Sequence, residues 1–286
     1  RLGVVVRGPS GWRPLSGNEI AVLVTEAALR SPRANAESVV MRTEVTSGLV
    51  SRIAESHGAK VIDHLLVGFK YIGDGIRALE EEGVFAGVKG KASDFLVGVE
   101  ESHGVLVTPG VRDKDAAGGA LLLAELASEH KDRGETLMAC LEGIWAKHGH
   151  VANVLVSTVM RGAAGRQQIE AIQRSLRENP PARIGGFAVI SKRDHQDPEG
   201  VHGPIRSGTD QASRNVLSYG LENQARVIVR PSGTEPKTKV YAELIGSPGV
   251  DSESLNESCQ QLAKDFVREM LQRVGICLPA WTQEMS

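Results

Sequence analysis

Apolar residues recur along this chain in two periods, one of about 3.6 residues and one of about 2, and the switches between them set out the expected elements. The segment "SGNEIAVLVTEAAL" carries apolar residues at helical spacing behind Ser16, with Glu19 three positions on. That is the pattern of a capping box at a helix start. Strand-like "SVVMRTEV", helical "SGLVSRIAESHG" closing on Gly58, strand-like "KVIDHLLV" and helical "IRALEEEG" come next, then the strand pair "DFLVGVEES" and "GVLVTPG". Two consecutive helices, in "RDKDAAGGALLLAELASEHKDRG" and "ETLMACLEGIWAKHG", each stop at a glycine.

Near residue 150 the character changes. A strand "VANVLVSTV", a helix "RQQIEAIQRSLREN", a Pro-Pro break and a strand "GFAVISKRD" lead into a polar loop, rich in Gly, Asp and Ser, that runs through residue 215. Strand "RVIVR", a short loop, strand "KTKVYAEL" and a last helix "SESLNESCQQLAKDFVREMLQRVG" complete the pattern. The first part alternates as an α/β layer does, and the second fits a sheet with helices on one face better than a doubly wound parallel sheet.

Composition narrows the function classes. With 286 residues and 41% hydrophobic content the chain can bury a real core, and length alone suggests about two domains. Lys and Arg total 33 against 35 for Asp and Glu, so no overall field draws in nucleic acid or an anionic membrane, and any anion must be bound locally. No apolar run approaches a membrane span and no leader pattern opens the chain, which reads as a soluble, cytoplasmic protein. Cys140, Cys259 and Cys277 are odd in number and widely spaced, so they suggest reduced thiols rather than a disulfide framework or a zinc site. The eight histidines show no metal-ligand spacing, and GxSxG is absent.

Four stretches carry candidate chemistry. In "RPSGTEPK", residues 230–237, Gly233 would let the backbone turn so that adjacent amides point at one spot, with Arg230 as a planar grip and Ser232 and Thr234 as hydroxyl donors. This is the make-up of a phosphate clamp. A plain hairpin turn is the alternative, and spacing does not separate the two. In "GVEESHG", residues 98–104, carboxylates and a hydroxyl end an apolar strand, where they would suit the vicinal hydroxyls of a sugar or simply form a solvated turn. In "RDKDA", residues 112–116, Lys114 sits at the positive end of a helix, either for function or paired with its neighbouring aspartates. Lys70 in "GFKYIGDG", a cation among apolar and glycine residues, is open in the same way.

Taken in order, "GNEI", "GFKYIGDG", "GVEESHG", "VRDKDA" and "RPSGTEPKTKVY" resemble the α-D-phosphohexomutase superfamily, the phosphoglucomutase and phosphomannomutase enzymes. The resemblance covers nearly the whole chain. It implies residues 1–11 as the tail of domain II, residues 12–150 as a mixed-sheet α/β domain III with its sugar-binding loop, and residues 151–286 as an α+β domain IV with its phosphate-binding loop.

The activity so implied is interconversion of hexose 1- and 6-phosphates through a phosphoserine and a bisphosphate intermediate, glucose 1,6-bisphosphate, with Mg²⁺ assisting. Glu100 and Ser102 would hold the sugar, Arg230, Ser232, Gly233 and Thr234 the phosphate, and Lys114, Lys70 and Arg1 would lie near the reacting groups. The family's Ser-His-Asn-Pro nucleophile motif and its Asp-x-Asp-x-Asp-Arg metal loop do not occur here, except that "RLGVVV" resembles the end of that metal loop and the strand after it, which would make Arg1 its closing arginine. Val67 and His103 also depart from the family pattern. The expected partners are hexose phosphates and the N-terminal domains of the same enzyme, with no nucleic acid or membrane. The chain alone is expected to be inactive. A non-catalytic phosphosugar-binding module and a phosphopentomutase-type activity are the alternatives.

Overall fold

The computed structural model of the protein describes residues 1–8, 11–200, 202–233 and 235–276. Thr234 and Cys277 lie outside the described residues. The chain forms two compact units, Arg1–Gly149 and His150–Ser286.

The first unit opens with a hairpin of β1 (Val5–Gly8) and β2 (Gly11–Pro14), followed by α1 (Gly17–Arg30). The capping box is formed: the Ser16 hydroxyl accepts from Glu19 N at 3.2 Å, and the Glu19 carboxylate accepts from Ser16 N at 2.8 Å. Then come β3 (Val39–Thr43), α2 (Leu49–Ser56), β4 (Lys60–Leu65), α3 (Phe69–Glu81) and the short pair β5 (Val84–Phe85) and β6 (Val88–Lys89). The unit closes with β7 (Phe95–Glu100), β8 (Gly104–Leu106), α4 (Ala116–Asp132) and α5 (Leu137–His148). The sheet order is β4-β3-β7-β8, parallel except for β8, and so mixed as expected. Every residue of β3 and β7 is buried, which is why those strands read as continuous apolar runs rather than alternating ones.

α3 begins at Phe69, a full two turns before the helical pattern becomes visible at Ile76. Gly73 and Gly75 disguise it. They are there for packing: a Cβ on Gly73 would come 2.7 Å from the Arg112 carbonyl oxygen, and one on Gly75 would come 2.9 Å from the Phe85 ring.

The second unit runs β9 (Val151–Val159), α6 (Gly162–Glu178), β10 (Arg183–Ile184), β11 (Phe187–Asp194), the short α7 (Gly208–Ser213), β12 (Leu217–Leu221), β13 (Arg226–Pro231), β14 (Lys237–Ile245) and α8 (Ser252–Gln272). Its antiparallel sheet has the order β10-β11-β12-β13-β14-β9. Alternate residues of the strands, Leu217, Tyr219, Leu221, Val227, Val229, Val240 and Ala242, join Ile172 and Leu176 of α6 and Phe266 and Met270 of α8 in one core. That is the period-2 alternation of a sheet with helices on one face. Tyr219 donates from its hydroxyl to the Leu176 carbonyl at 3.1 Å, and burial pushes the phenol up to about 12. β12 and α7 escape the sequence pattern because a polar loop and the positive-φ turn at Asn223 and Gln224 interrupt the apolar signal on either side. Cys140 and Cys259 are buried, with thiols raised to about 11 and about 12 by desolvation, which suits inert packing.

One close approach ties the first unit together. A Cβ on Gly17 would overlap the Glu101 carbonyl oxygen and come 2.9 Å from His103 N, so the start of α1 lies directly on the turn between β7 and β8. Gly17→Ala should lower stability by about 1–3 kcal/mol through this overlap, overriding the usual gain of an alanine in a helix. Gly143→Ala in α5, where a Cβ meets nothing, should raise it by about 0.5–1 kcal/mol. Urea unfolding of both variants checks the pair, and equal stability of the two would show that the approach does not constrain the turn.

Candidate functional site

β7, an interior strand of the first unit's sheet, ends at Glu100, and the turn Glu101–His103 reverses the chain into β8. The turn is fixed from several sides. Leu2 N donates to the His103 carbonyl at 3.0 Å, Glu101 N donates to the Thr46 hydroxyl at 3.1 Å, and His103 holds a left-handed φ of 66°. A non-glycine residue in that region is uncommon and marks a tightly determined turn. Ser102 is half-buried at its tip, and among the described residues nothing hydrogen-bonds its hydroxyl.

Glu100 is 5% exposed, and burial raises its carboxyl above the ordinary glutamate range. Lys114, Arg1 and the Gly68 N–H all pull the other way, while Asp113 adds to the rise. The expected residues Glu100, Lys114 and Arg1 are therefore gathered at one place. Phe69 forms the wall of that place: Lys114 Nζ lies 5.0 Å from the centroid of its ring, and a Cβ on Gly104 would come 2.8 Å from the ring and 2.7 Å from Glu100 Oε2. Lys114 also donates to Asp113 Oδ1 at 2.7 Å, the pairing with a neighbouring aspartate that the sequence left open. Asp115 caps α4 by accepting from Gly118 N at 3.0 Å. Lys70 stands apart from this group, exposed in the first turn of α3, with its ammonium 4.8 Å from the centroid of the Tyr71 ring.

Beside these residues, at the ends of β3 and β4, sits a charged network that no sequence motif marks. Arg42, 3% exposed, donates to Asp63 Oδ2 at 3.0 Å, to the Ser51 hydroxyl at 2.6 Å and to the Thr46 carbonyl at 2.9 Å. His64 reaches Glu44 through Nδ1 at 2.8 Å and Asp63 through Nε2 at 3.0 Å. Its one signal in the sequence is a single arginine inside the otherwise apolar "VVMRT". A buried charge of that kind is held only where its donors find partners.

In the second unit the loop after β13 closes on itself. Ser232 N donates to the Lys237 carbonyl at 2.8 Å, Lys237 N to the Glu235 carbonyl at 2.8 Å, and Glu235 N to the Ser232 hydroxyl at 3.3 Å. Glu235 also pairs with Lys237 at 2.7 Å, which holds its carboxyl below the usual range. Arg230 lies directly across from Lys239 on β14, and among the described residues it has no ion-pair partner. Like charges directly opposite each other on paired strands are destabilising.

Gly233 does not take a left-handed φ, and a Cβ there would meet nothing within 4 Å, so neither backbone strain nor crowding demands glycine at this position. A cleft of about 350 Å³ opens at this point, with Ser232 and Gly233 on one side and residues of α6 on the other. Among the described residues there is no group of three or more His, Cys, Asp or Glu side chains that could hold a metal ion. No helix among the described residues is long and apolar enough to cross a membrane.

Comparison with known proteins agrees with this geometry. The family model for the phosphoglucomutase/phosphomannomutase α/β/α domain III matches residues 16–148, and that for the phosphoglucomutase/phosphomannomutase C-terminal domain matches residues 207–264. The phosphoglucomutase of Staphylococcus haemolyticus (strain JCSC1435) is 32% identical over 252 residues, covering 85% of this chain and 43% of the relative. That of Staphylococcus aureus (strain N315) is 32% identical over 247 residues, with the same coverage of 85% and 43%. The chain thus spans less than half the length of these curated relatives.

Among solved structures, the open form of the Paramecium phosphoglucomutase pp63/parafusin superposes with a TM-score of 0.63 at 16% identity, covering 97% of this chain and 45% of that one. A phosphoglucomutase/phosphomannomutase family protein from Burkholderia thailandensis gives a TM-score of 0.52 at 13% identity, covering 96% and 44%. At these identities the structures speak for the fold alone. With two domain models of one family matched in order on a chain of the corresponding fold, the protein belongs to the phosphoglucomutase/phosphomannomutase family of the α-D-phosphohexomutase superfamily, of which it carries domain III and the C-terminal domain.

Proposed function

We propose that this chain is the sugar- and phosphate-binding portion of a phosphohexomutase, an intramolecular phosphotransferase that interconverts hexose 1- and 6-phosphates. The observation that carries this reading is the gathering of Glu100, Lys114, Arg1 and the Gly68 N–H against the Phe69 ring. A buried carboxylate flanked by cations can accept hydrogen bonds from vicinal sugar hydroxyls, while the cations face the phosphate that the same sugar carries. Ser102 adds a hydroxyl at the tip of the adjoining turn. In the second unit Arg230, Ser232 and the open backbone at Gly233, with Thr234 as a further proposed donor, hold a phosphate.

In this reading residues 1–11 are the tail of domain II, residues 12–150 are domain III and residues 151–286 are domain IV, in a soluble cytoplasmic enzyme. Lys70 and Arg1 would face the reacting phosphate, Arg1 by closing the metal loop of the preceding domain. The nucleophilic serine and the magnesium ligands of the family have no counterpart in residues 1–286, so the chain by itself binds hexose phosphate and does not turn it over. The purified chain is then expected to show no mutase activity, and sustained turnover would sink the proposal.

Glu100→Gln separates stability from binding. The raised carboxyl penalises the fold wherever it is ionised, so the penalty is full above the raised value and vanishes as pH falls to the ordinary glutamate value near about 4.3. The variant should melt higher than the parent at pH 7, converge with it near pH 4, and bind glucose 1,6-bisphosphate less tightly. A lower melting point at pH 7 would mean that attraction to Lys114 and Arg1 outweighs burial. At the other loop, Arg230→Ala should weaken calorimetric binding of glucose 1,6-bisphosphate by about one to two decades, the effect of losing a charge-assisted contact of about 1.5–3 kcal/mol. Equal titrations of parent and variant would reduce "RPSGTEPK" to a turn.

A further inference from the structure

The cleft beside the Ser232–Gly233 turn has a second wall that neither the sequence motifs nor the proposed phosphate site accounts for. It is built from α6, which contributes Arg166, Ile169 and Glu170, and is closed by Asn215 just before β12. Its volume of about 350 Å³ lies at the lower end of the range of small-molecule sites, about 300–1,000 Å³. That leaves room for more than a phosphate alone.

The position of this wall is forced. Met160, at the end of β9, donates its N–H to the Pro236 carbonyl at 2.8 Å, which fastens the strand end to the loop. A Cβ on Gly165 would overlap the Met160 carbonyl oxygen, so the first turn of α6 can lie where it does only because residue 165 is glycine. Strand end, loop and helix start form one corner, and Arg166 is the next residue along the helix.

The chemistry of the wall is uneven. Arg166 is exposed, and among the described residues it makes no ion pair or hydrogen bond, not even with Glu170 one turn on. The start of α6 has no side-chain cap and no acidic residue in its first turn, so its own helix supplies nothing to balance its positive end. Asn215 accepts from Arg177 Nη2 at 2.8 Å through its side-chain carbonyl, and Arg177 is itself held by Asp194 at 2.8 Å. What Asn215 can still offer the cleft is its NH₂, a donor. Donors from Arg166, Asn215 and the Ser232–Gly233 turn suit an anion; the other carboxylate of the lining, Glu235, is taken up by its pair with Lys237 at 2.7 Å, whereas Glu170 suits a hydroxyl next to the anion and repels a second anionic group.

Resting on the reading of this loop as a phosphate site, we propose that Arg166 is a further phosphate-binding residue and Glu170 a specificity residue, so that the cleft takes the monoester phosphate of a sugar together with a neighbouring hydroxyl in preference to inorganic phosphate. Arg166 supplies the planar guanidinium that grips phosphate oxygens in pairs. Glu170 accepts from the hydroxyl.

The test is calorimetric titration of the purified chain at fixed salt with inorganic phosphate and, separately, glucose 1-phosphate, for the parent and for Arg166→Ala, Arg166→Lys, Glu170→Gln and Arg230→Ala. Thermal melts accompany each variant to confirm that it folds. Arg166→Ala should weaken both ligands at least tenfold, with Arg166→Lys recovering part of the loss. Glu170→Gln should weaken glucose 1-phosphate severalfold while leaving inorganic phosphate unchanged or tighter. If Arg230→Ala loses binding and Arg166→Ala does not, the proposal for α6 is overturned and the loop reading stands. If neither arginine matters, or the parent binds neither ligand, the loop reading itself falls and takes this proposal with it. Equal effects of Glu170→Gln on both ligands would remove its role in selectivity.

Discussion

Backbone brought against backbone, at places where no Cβ fits, is the constraint on which both candidate loops depend. Gly17 lets the capped start of α1 rest on the turn between β7 and β8, and Gly165 lets the start of α6 rest on the end of β9. In each unit a helix start is thereby pinned beside a loop at the strand ends. Loops placed in this way by packed elements can keep polar groups at defined positions, which a mobile loop cannot. The left-handed φ at His103 and the internal hydrogen bonds of residues 232–237 are local consequences of the same arrangement.

Electrostatics then gives the first unit its character. Glu100 is held buried at a cost that Lys114, Arg1 and the Gly68 N–H only partly offset, and such a cost is expected where a group is kept for binding rather than for stability. The nearby Arg42–Asp63–His64–Glu44 network is a different case. Its charges are paired or hydrogen-bonded within the sheet edge, and they stiffen the ends of β3 and β4 next to the turn. The proposed phosphate site of the second unit would instead rely on open backbone and exposed guanidinium groups, an arrangement in which no charge has to be buried before a ligand arrives.

Much of this is legible in the sequence, and the exceptions have physical causes. The capping box at Ser16 and Glu19 announces α1, and the motif order announces the family, because both rest on spacing along the chain. Phe69 as the true start of α3 is hidden by Gly73 and Gly75, whose role is close packing against Arg112, Phe85 and Met41, far away in sequence. β12 is hidden between a polar loop and a left-handed turn. That Gly233 has no left-handed φ cannot be read either, since glycines with and without a positive φ look alike in a sequence. Arg166 belongs to no motif: only the folding of α6 onto the β9 end places it beside the loop, and Gly165 is its one clue. Lys70 goes the other way, a motif residue that stands apart from the Glu100 group among the contacts described.

The most direct test of the account is a map of backbone amide shifts as glucose 1,6-bisphosphate is added to the ¹⁵N-labelled chain. The account predicts changes concentrated at Gly68 and residues 100–104 in the first unit and at Ser232, Gly233 and Glu235 in the second, with the helices α5 and α8 unmoved. Shifts that spare both loops, or that gather on other surfaces, would contradict it.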